Sequence, residues 1–286
     1  MGSLKSNLSK TFRYVNDNGD EIILDYAHGF LINKPAGVDT VQVSLSQAQG
    51  INQTGATVQS VNVQPRPVNV SGRLVGDFQG ENKTRLVATV RPDIGGRLYA
   101  DDYYLVVNPT ATPTVSPAPR FADFQFSVLA PYPYWQKDDS VQASLAGVEP
   151  RFKFPWNVSR PYRFGEVIKK QFINVTNGGQ VPVPFTVTFI ALDAVTNPKI
   201  TDVATGKFLL LNKSMVAGER LSVEITHDRT YVTSSADGEC RGALALTSSF
   251  FRLGVGDNVL KPEADAGRDN LQVDLDFSTE VVGVVL

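Results

Sequence analysis

Apolar and polar residues alternate with a period of two along most of this chain, the pattern of strands that bury one face. Phe12-Arg13-Tyr14-Val15 and Glu21-Ile22-Ile23-Leu24 flank Asn16-Asp17-Asn18-Gly19-Asp20. The Asn-Gly step supplies the positive φ that a hairpin turn needs. Further strands are predicted at 29–32, 41–45, 68–76, 103–107 and 124–130; the polar, glycine-containing stretch 51–56 reads as a loop, and Val58, Val61 and Val63 precede Pro65-Arg66-Pro67. One segment departs from this period. Over 81–90, Leu86, Val87 and Val90 are expected on one face of a helix that Pro92 stops. Gly95-Gly96-Arg97-Leu98-Tyr99 opens a hairpin that continues through Tyr103-Tyr104. Residues 108–119 carry four prolines among Thr, Ser and Ala, and are expected to form an extended arm.

Pro131-Tyr132-Pro133-Tyr134-Trp135 interrupts the alternation. Its prolines remove backbone donors and fix φ, so a strand stops there. Three aromatics are then held on a stiff segment, ahead of a charged break, Lys137-Asp138-Asp139. This arrangement suits a joint between two domains, made by Tyr132, Tyr134 and Trp135, or a binding surface. A second β block follows, with strands at 172–177, 185–190, 208–211, 221–226 and 271–277. Spacing of roughly 8–12 residues between strands indicates a β-sandwich. The expected fold is mainly β, with one short helix in a first domain over 1–135, which includes the arm 108–119, and a sandwich over 136–286.

A length of 286 residues suits about two domains. A net charge of −2 argues against nucleic-acid binding, which needs a basic face. No apolar run approaches the roughly 18–20 residues that span a bilayer. The N-terminal residues lack the apolar stretch of a secretory signal. Cys240 is the single cysteine, so no intrachain disulfide can form and stability must come from cores or assembly.

Candidate chemistry is sparse. His28 and His227 have no partner at zinc-ligand spacing and read as turn or surface residues. Cys240 lies between apparent strands and reads as an inert thiol rather than a nucleophile. Asn16-Asp17-Asn18-Gly19-Asp20-Glu21 has the glycine of a calcium loop at the wrong position. Asp138-Asp139 and Asp274/Asp276 are carboxylate pairs, but alternation along a solvated strand explains the second. Gly95-Gly96 and Gly178-Gly179 read as turns, not phosphate loops. Trp135, Trp156, Tyr132, Tyr134 and Tyr162 could instead form a sugar-stacking platform.

In order and spacing, a set of turn and strand-end motifs resembles the distal tail (Dit) family of siphophages infecting Gram-positive bacteria. In the first half these are the hairpin over 12–24, Arg66-Pro67-Val68-Asn69-Val70-Ser71-Gly72, Pro92-Asp93-Ile94-Gly95-Gly96-Arg97-Leu98-Tyr99 and the strand ending in Pro131-Tyr132-Pro133-Tyr134-Trp135. In the second half they are Ile173-Asn174-Val175-Thr176-Asn177-Gly178-Gly179, Asn197-Pro198-Lys199-Ile200, Thr205-Gly206-Lys207, Gly218-Glu219-Arg220-Leu221 and Gly254-Val255-Gly256-Asp257-Asn258. The small Val68 and Val70, the long arm 108–119 and the basic, aromatic stretch 151–165 depart from the family's pattern.

The resemblance implies an N-terminal β belt domain that forms a ring, usually a hexamer, at the end of the tail tube. It implies a galectin-like sandwich as the C-terminal domain. The implied partners are further copies of the chain, the tail tube protein, the tail-associated hub or lysin protein and a receptor-binding protein. It implies no catalysis, cofactor, metal, nucleic-acid recognition or membrane, and a place at the virion tail tip after assembly in the host cytoplasm. Subunit contacts are expected at Leu98, Tyr99, Tyr103, Tyr104, Pro113 and Pro117. The rival readings are a cell-wall carbohydrate-binding or adhesin module and, less supported by the residues, a cell-wall glycosidase or peptidase.

Overall fold

The computed structural model describes residues 12–76, 79–116, 122–144, 146–150, 165–169 and 171–284, the strands at 146–150 and 165–169 by their backbone. The chain forms two compact units, Met1–Asp139 with Glu280–Leu286, and Ser140–Thr279. The segment after Thr279, expected with the second domain, thus returns to the first unit.

The first unit begins with β1 (Phe12–Asn16), β2 (Glu21–Leu24), β3 (Phe30–Ile32), β4 (Val43–Ala48), β5 (Thr57–Val63) and β6 (Arg66–Leu74). After α1 (Gln79–Thr89) come β7 (Gly96–Ala100), β8 (Tyr103–Pro109), β9 (Thr114–Ser116), β10 (Ala122–Ala130) and the start of β11 (Trp135–Ser144). One sheet runs β2-β1-β7-β8-β11; the other is built on the β6–β10 pair, with β3 beside β6 and β9 beside β10. Alternation turns Phe12, Tyr14, Ile22, Leu24 and Leu98 of the first sheet toward Val68, Val70, Phe124 and Phe126 of the second, in one core. Each such buried side chain contributes roughly 1.5–3 kcal/mol. Gly72 permits the close approach of β3, because a Cβ there would stand 2.3 Å from the Leu31 carbonyl oxygen and 3.0 Å from the Phe124 ring.

Leu86 of helix α1 and Val90 just after it pack into this core, but Val87 is 37% exposed. A step of about 100° per residue turns Val87 away from its neighbour's face, so the expected grouping of all three does not hold. Two other expectations are corrected. Lys137-Asp138-Asp139 does not break the chain; it continues β11, with Lys137 opposite Tyr103 and the Asp138 N–H donating to Asp102 O at 2.9 Å. Backbone pairing outweighs the charges because Asp138 and Asp139 point to solvent. Nor is 108–119 wholly an arm: Asn108 and Pro109 close β8, Pro113 is buried and Thr114–Ser116 pairs with β10.

The returning segment is fastened through two backbone carbonyls, Val38 O and Val282 O. Arg66, 2% exposed, donates from Nη1 to Val38 O at 2.8 Å and from Nη2 to Val282 O. The Trp135 Nε1–H reaches the same Val38 O at 2.9 Å, and the Val284 N–H at 3.3 Å. Burial pulls the Arg66 guanidinium down to about 10, so it stays charged at neutral pH, held mainly by backbone oxygens.

The second unit contains a ribbon, β12 (Ala146–Pro150) with β13 (Gly165–Lys169), and then β14 (Ile173–Asn177), β15 (Thr186–Ala191), β16 (Val195–Asp202), β17 (Phe208–Leu210) and β18 (Ser214–Met215). After these come β19 (Arg220–Ile225), β20 (Thr230–Ser234), β21 (Gly238–Glu239), β22 (Gly256–Ala266) and β23 (Leu271–Val281). Two sheets, β23-β15-β19-β20-β21 and β14-β22-β16-β17, enclose one core that includes Val187, Phe189, Leu221 and Val273 from the first and Val175, Ile200, Leu209 and Leu260 from the second. β18 adds to the edge of β16.

A polar network ties the β18–β19 turn to β20. Glu219, 5% exposed, accepts from Ser234 Oγ at 2.6 Å and from the Val216 N–H at 3.1 Å. Lys213 Nζ lies 3.0 Å from Glu219 and also pairs with Asp237. Burial alone would raise the Glu219 carboxyl, but Ser234, the Val216 N–H and Lys213 together hold it below its ordinary 4.5. A lowered native pKa means stability that is present above the unfolded pKa and lost as pH falls through the native value. Glu219→Gln is therefore expected to lower the urea midpoint at pH 7, with the gap from wild type closing in acid, below the ordinary Glu range. A gap that stays constant from pH 7 to pH 3 would remove the ionised carboxylate from the explanation.

Candidate assembly surface

Among the described residues, the ribbon of β4 and β5 pairs with no other strand. Val43 faces Val63 and Leu45 faces Val61, so these four share one side, while Ser44 with Asn62 and Ser46 with Ser60 share the other. A register shift after Ser46 sets Gln47 opposite Val58, which keeps Val58 on the apolar side. All five apolar residues are about half exposed, at 43–57%, and Ile51 at the tip is 98% exposed. None of them belongs to either hydrophobic core. A lone two-stranded ribbon is at best marginally stable in water, and an apolar face of this kind marks an interaction site.

Charge strengthens this reading. No Lys, Arg, Asp, Glu or His occurs between Asp39 and Arg66. Exposed strand edges are normally blunted by charges, especially lysine. These edges have none, so they can accept another strand or surface. The uncharged run is visible in the sequence. It is the signal that separates this ribbon from an ordinary hairpin.

The residues expected at subunit contacts mostly lie elsewhere. Leu98 is fully buried in the first core and has no surface to offer, and Pro113 is buried as well. Tyr99, 9% exposed, is covered by the Arg13 guanidinium at 4.0 Å and packs 5.7 Å from Tyr104. Tyr103 and Tyr104 are half-buried, and Pro117 falls outside the described residues. Of the expected joint, Trp135 is fully buried in the first unit, and Tyr132 donates to Glu280 Oε2 at 2.5 Å, with Tyr134 edge-on to Tyr132 at 5.4 Å. Burial of Trp135 closes its ring to a sugar; Trp156 and Tyr162 lie outside the described residues.

The titratable candidates are dispersed. His28 Nδ1 sits 2.6 Å from Asp25, and Asp274 accepts from Ser144 Oγ at 2.6 Å. Burial pushes the Cys240 thiol up, away from the reactive thiolate. Among the described residues, no three His, Cys, Asp or Glu side chains gather as metal ligands.

Residues 178–279 match the family model described as the siphovirus-type tail component, C-terminal domain. Over the whole chain the fold is similar to the crystal structure of the Dit protein (gp 19.1) of phage SPP1, described as a paradigm of the hub adsorption apparatus of Gram-positive-infecting phages. That match has 13% identity and a TM-score of 0.68, and covers 95% of this chain and 99% of that one. A chain of the phage P2 baseplate in its calcium-activated conformation matches at 8% identity and a TM-score of 0.52, covering 97% of this chain and 100% of that one. Its strontium-activated counterpart gives 8% and 0.50, covering 96% of this chain and 100% of that one. No curated protein matches the sequence. The residues matched by the family model lie within the second unit, and the mainly β fold of the chain is similar to that of the SPP1 Dit protein. Outside residues 178–279 the likeness to the Dit protein is one of fold.

Proposed function

We propose that the chain is a structural ring protein of the tail tip. Six copies encircle the distal end of the tail tube, and the ring joins the tube to the hub protein and the receptor-binding apparatus. The first unit acts as the belt that closes the ring, and the second as a galectin-like outer domain. The uncharged, half-exposed β4–β5 ribbon carries the reading: each copy lays the Val43, Leu45, Val61 and Val63 face on the next copy. Repeating one contact head to tail around a rotation axis gives a closed ring. The protein acts at the virion tail tip, after assembly in the host cytoplasm.

The mass of the purified full chain, measured by light scattering over a range of concentrations, tests the reading. The expected result is a six-fold multiple of the 31.1 kDa chain, seen as rings in negative stain. A strict monomer at every concentration, both alone and mixed with tail tube protein, would reject it.

A further inference from the structure

At one end of the second unit, four loop segments converge on an open cleft of about 770 Å³. They are the turn after β16, the turn between β19 and β20, the short helical turn Arg241–Ala243 and the segment leading into β22, and Pro182 ahead of β15 also lines the cleft. Lys207, Arg229, Arg241 and Arg252 reach it, against two carboxylates, Asp202 and Asp228.

Both acids are already engaged. Asp202 accepts from Thr205 Oγ1 at 2.5 Å and from the Ala204 N–H at 3.2 Å, which ties it into its own turn. Asp228 accepts from Thr226 Oγ1 at 2.9 Å and sits 3.4 Å from Arg229. The cations are less committed. Lys207 and Arg241 make no ion pair among the described residues, and Arg252 only reaches a backbone oxygen, His227 O, at 3.5 Å. The cleft is therefore positive, in a chain whose net charge is −2.

Its floor is apolar. Ile225 and Leu244 line it, and Phe251 is seated against Phe185 with ring centroids 5.1 Å apart. Phe250 beside it is 51% exposed and serves no core. Cations that lack ion-pair partners, around an exposed aromatic, ask for a ligand with both negative charge and apolar groups. A phosphodiester polymer would satisfy the cations and leave Phe250 uncovered. An extended peptide alternates side chains at about 3.3 Å per residue and can supply both.

We propose that this cleft is a docking site for an acidic peptide segment of another protein, anchored by an apolar side chain over Phe250. The proposal holds whether or not the chain forms rings. Charge complementarity of this kind sets partner choice and association rate.

The test is selection of displayed random 12-residue peptides on the full chain, with the selected peptides measured by fluorescence anisotropy. Selection is expected to enrich sequences that combine Asp or Glu with Phe, Trp or Leu, binding more weakly as salt rises. Lys207→Glu with Arg241→Glu, both on the surface, is expected to weaken binding at least ~10-fold, and Phe250→Ser to weaken it by a similar factor. Unchanged thermal midpoints show that the variants are folded. Three results would overturn the proposal: no acidic enrichment, binding indifferent to these substitutions, or tighter binding of poly(glycerol phosphate) than of any selected peptide.

Discussion

Leu45→Asp with Val61→Asp is expected to turn assembled rings into monomers without unfolding the chain. These two side chains are cross-strand partners on the apolar side of the β4–β5 ribbon, and neither belongs to a core. If a neighbouring copy covers them, each contributes roughly 1.5–3 kcal/mol per contact. Their loss weakens each contact by about 10²–10⁴-fold, at 1.4 kcal/mol for every factor of ten. An unpaired carboxylate forced into the same contact adds several kcal/mol. Exposed substitutions away from special features usually shift stability by about 0.5 kcal/mol or less, so the thermal midpoint should hardly move. Light scattering and a thermal melt on the same sample read both quantities. The matching control is Ser44→Asp with Ser60→Asp on the polar side, which should leave assembly intact. If the apolar-side variant still forms rings, the ribbon is not the ring contact.

Trp135→Ala is expected to be the most damaging single substitution within the first unit, at roughly 3–5 kcal/mol. The ring is fully buried and its N–H donates to Val38 O. Truncation leaves a large void where three donors had converged, the others being Arg66 Nη1 and the Val284 N–H. Arg66→Met should cost about 2–4 kcal/mol. It removes the hydrogen bonds to Val38 O and Val282 O together with an expensive buried charge, and hydrogen bonds to charged groups are worth about 1.5–3 kcal/mol each. Because Arg66 and Trp135 share an acceptor, the double variant should cost less or more than the sum. Hydrogen exchange separates the units. Amides of β10 should lose protection in Trp135→Ala, while those of β19 keep theirs. Equal loss in both would mean that the two units unfold as one.

Much of the fold is legible from local chemistry. The hairpin over 12–24 follows from its Asn-Gly turn, and the face of Leu271, Val273, Leu275 and Phe277 follows from alternation. The period of about 3.6 residues and Pro92 predict the helix, though Val87 lies outside its buried face. The errors share one cause. Lys137-Asp138-Asp139 is read as a break and 108–119 as an arm because propensity is local, whereas strand pairing with β8 and β10 is not. Leu98 and Tyr99 looked like contact residues beside a turn, and only the packing of two sheets shows that their faces are already covered.

The same division holds for the surfaces that matter. Alternation and turn residues are enough to determine a mainly β chain with two halves. The uncharged run between Asp39 and Arg66 was also there to be read. Tertiary structure alone decided that this run stands apart from both cores, that Trp135 is core rather than platform, and that residues 280–284 return to Arg66 and Val38. Periodicity reports which side of a strand is apolar. It carries no information about whether that side meets its own chain, a partner or water, because that depends on contacts between residues far apart in sequence.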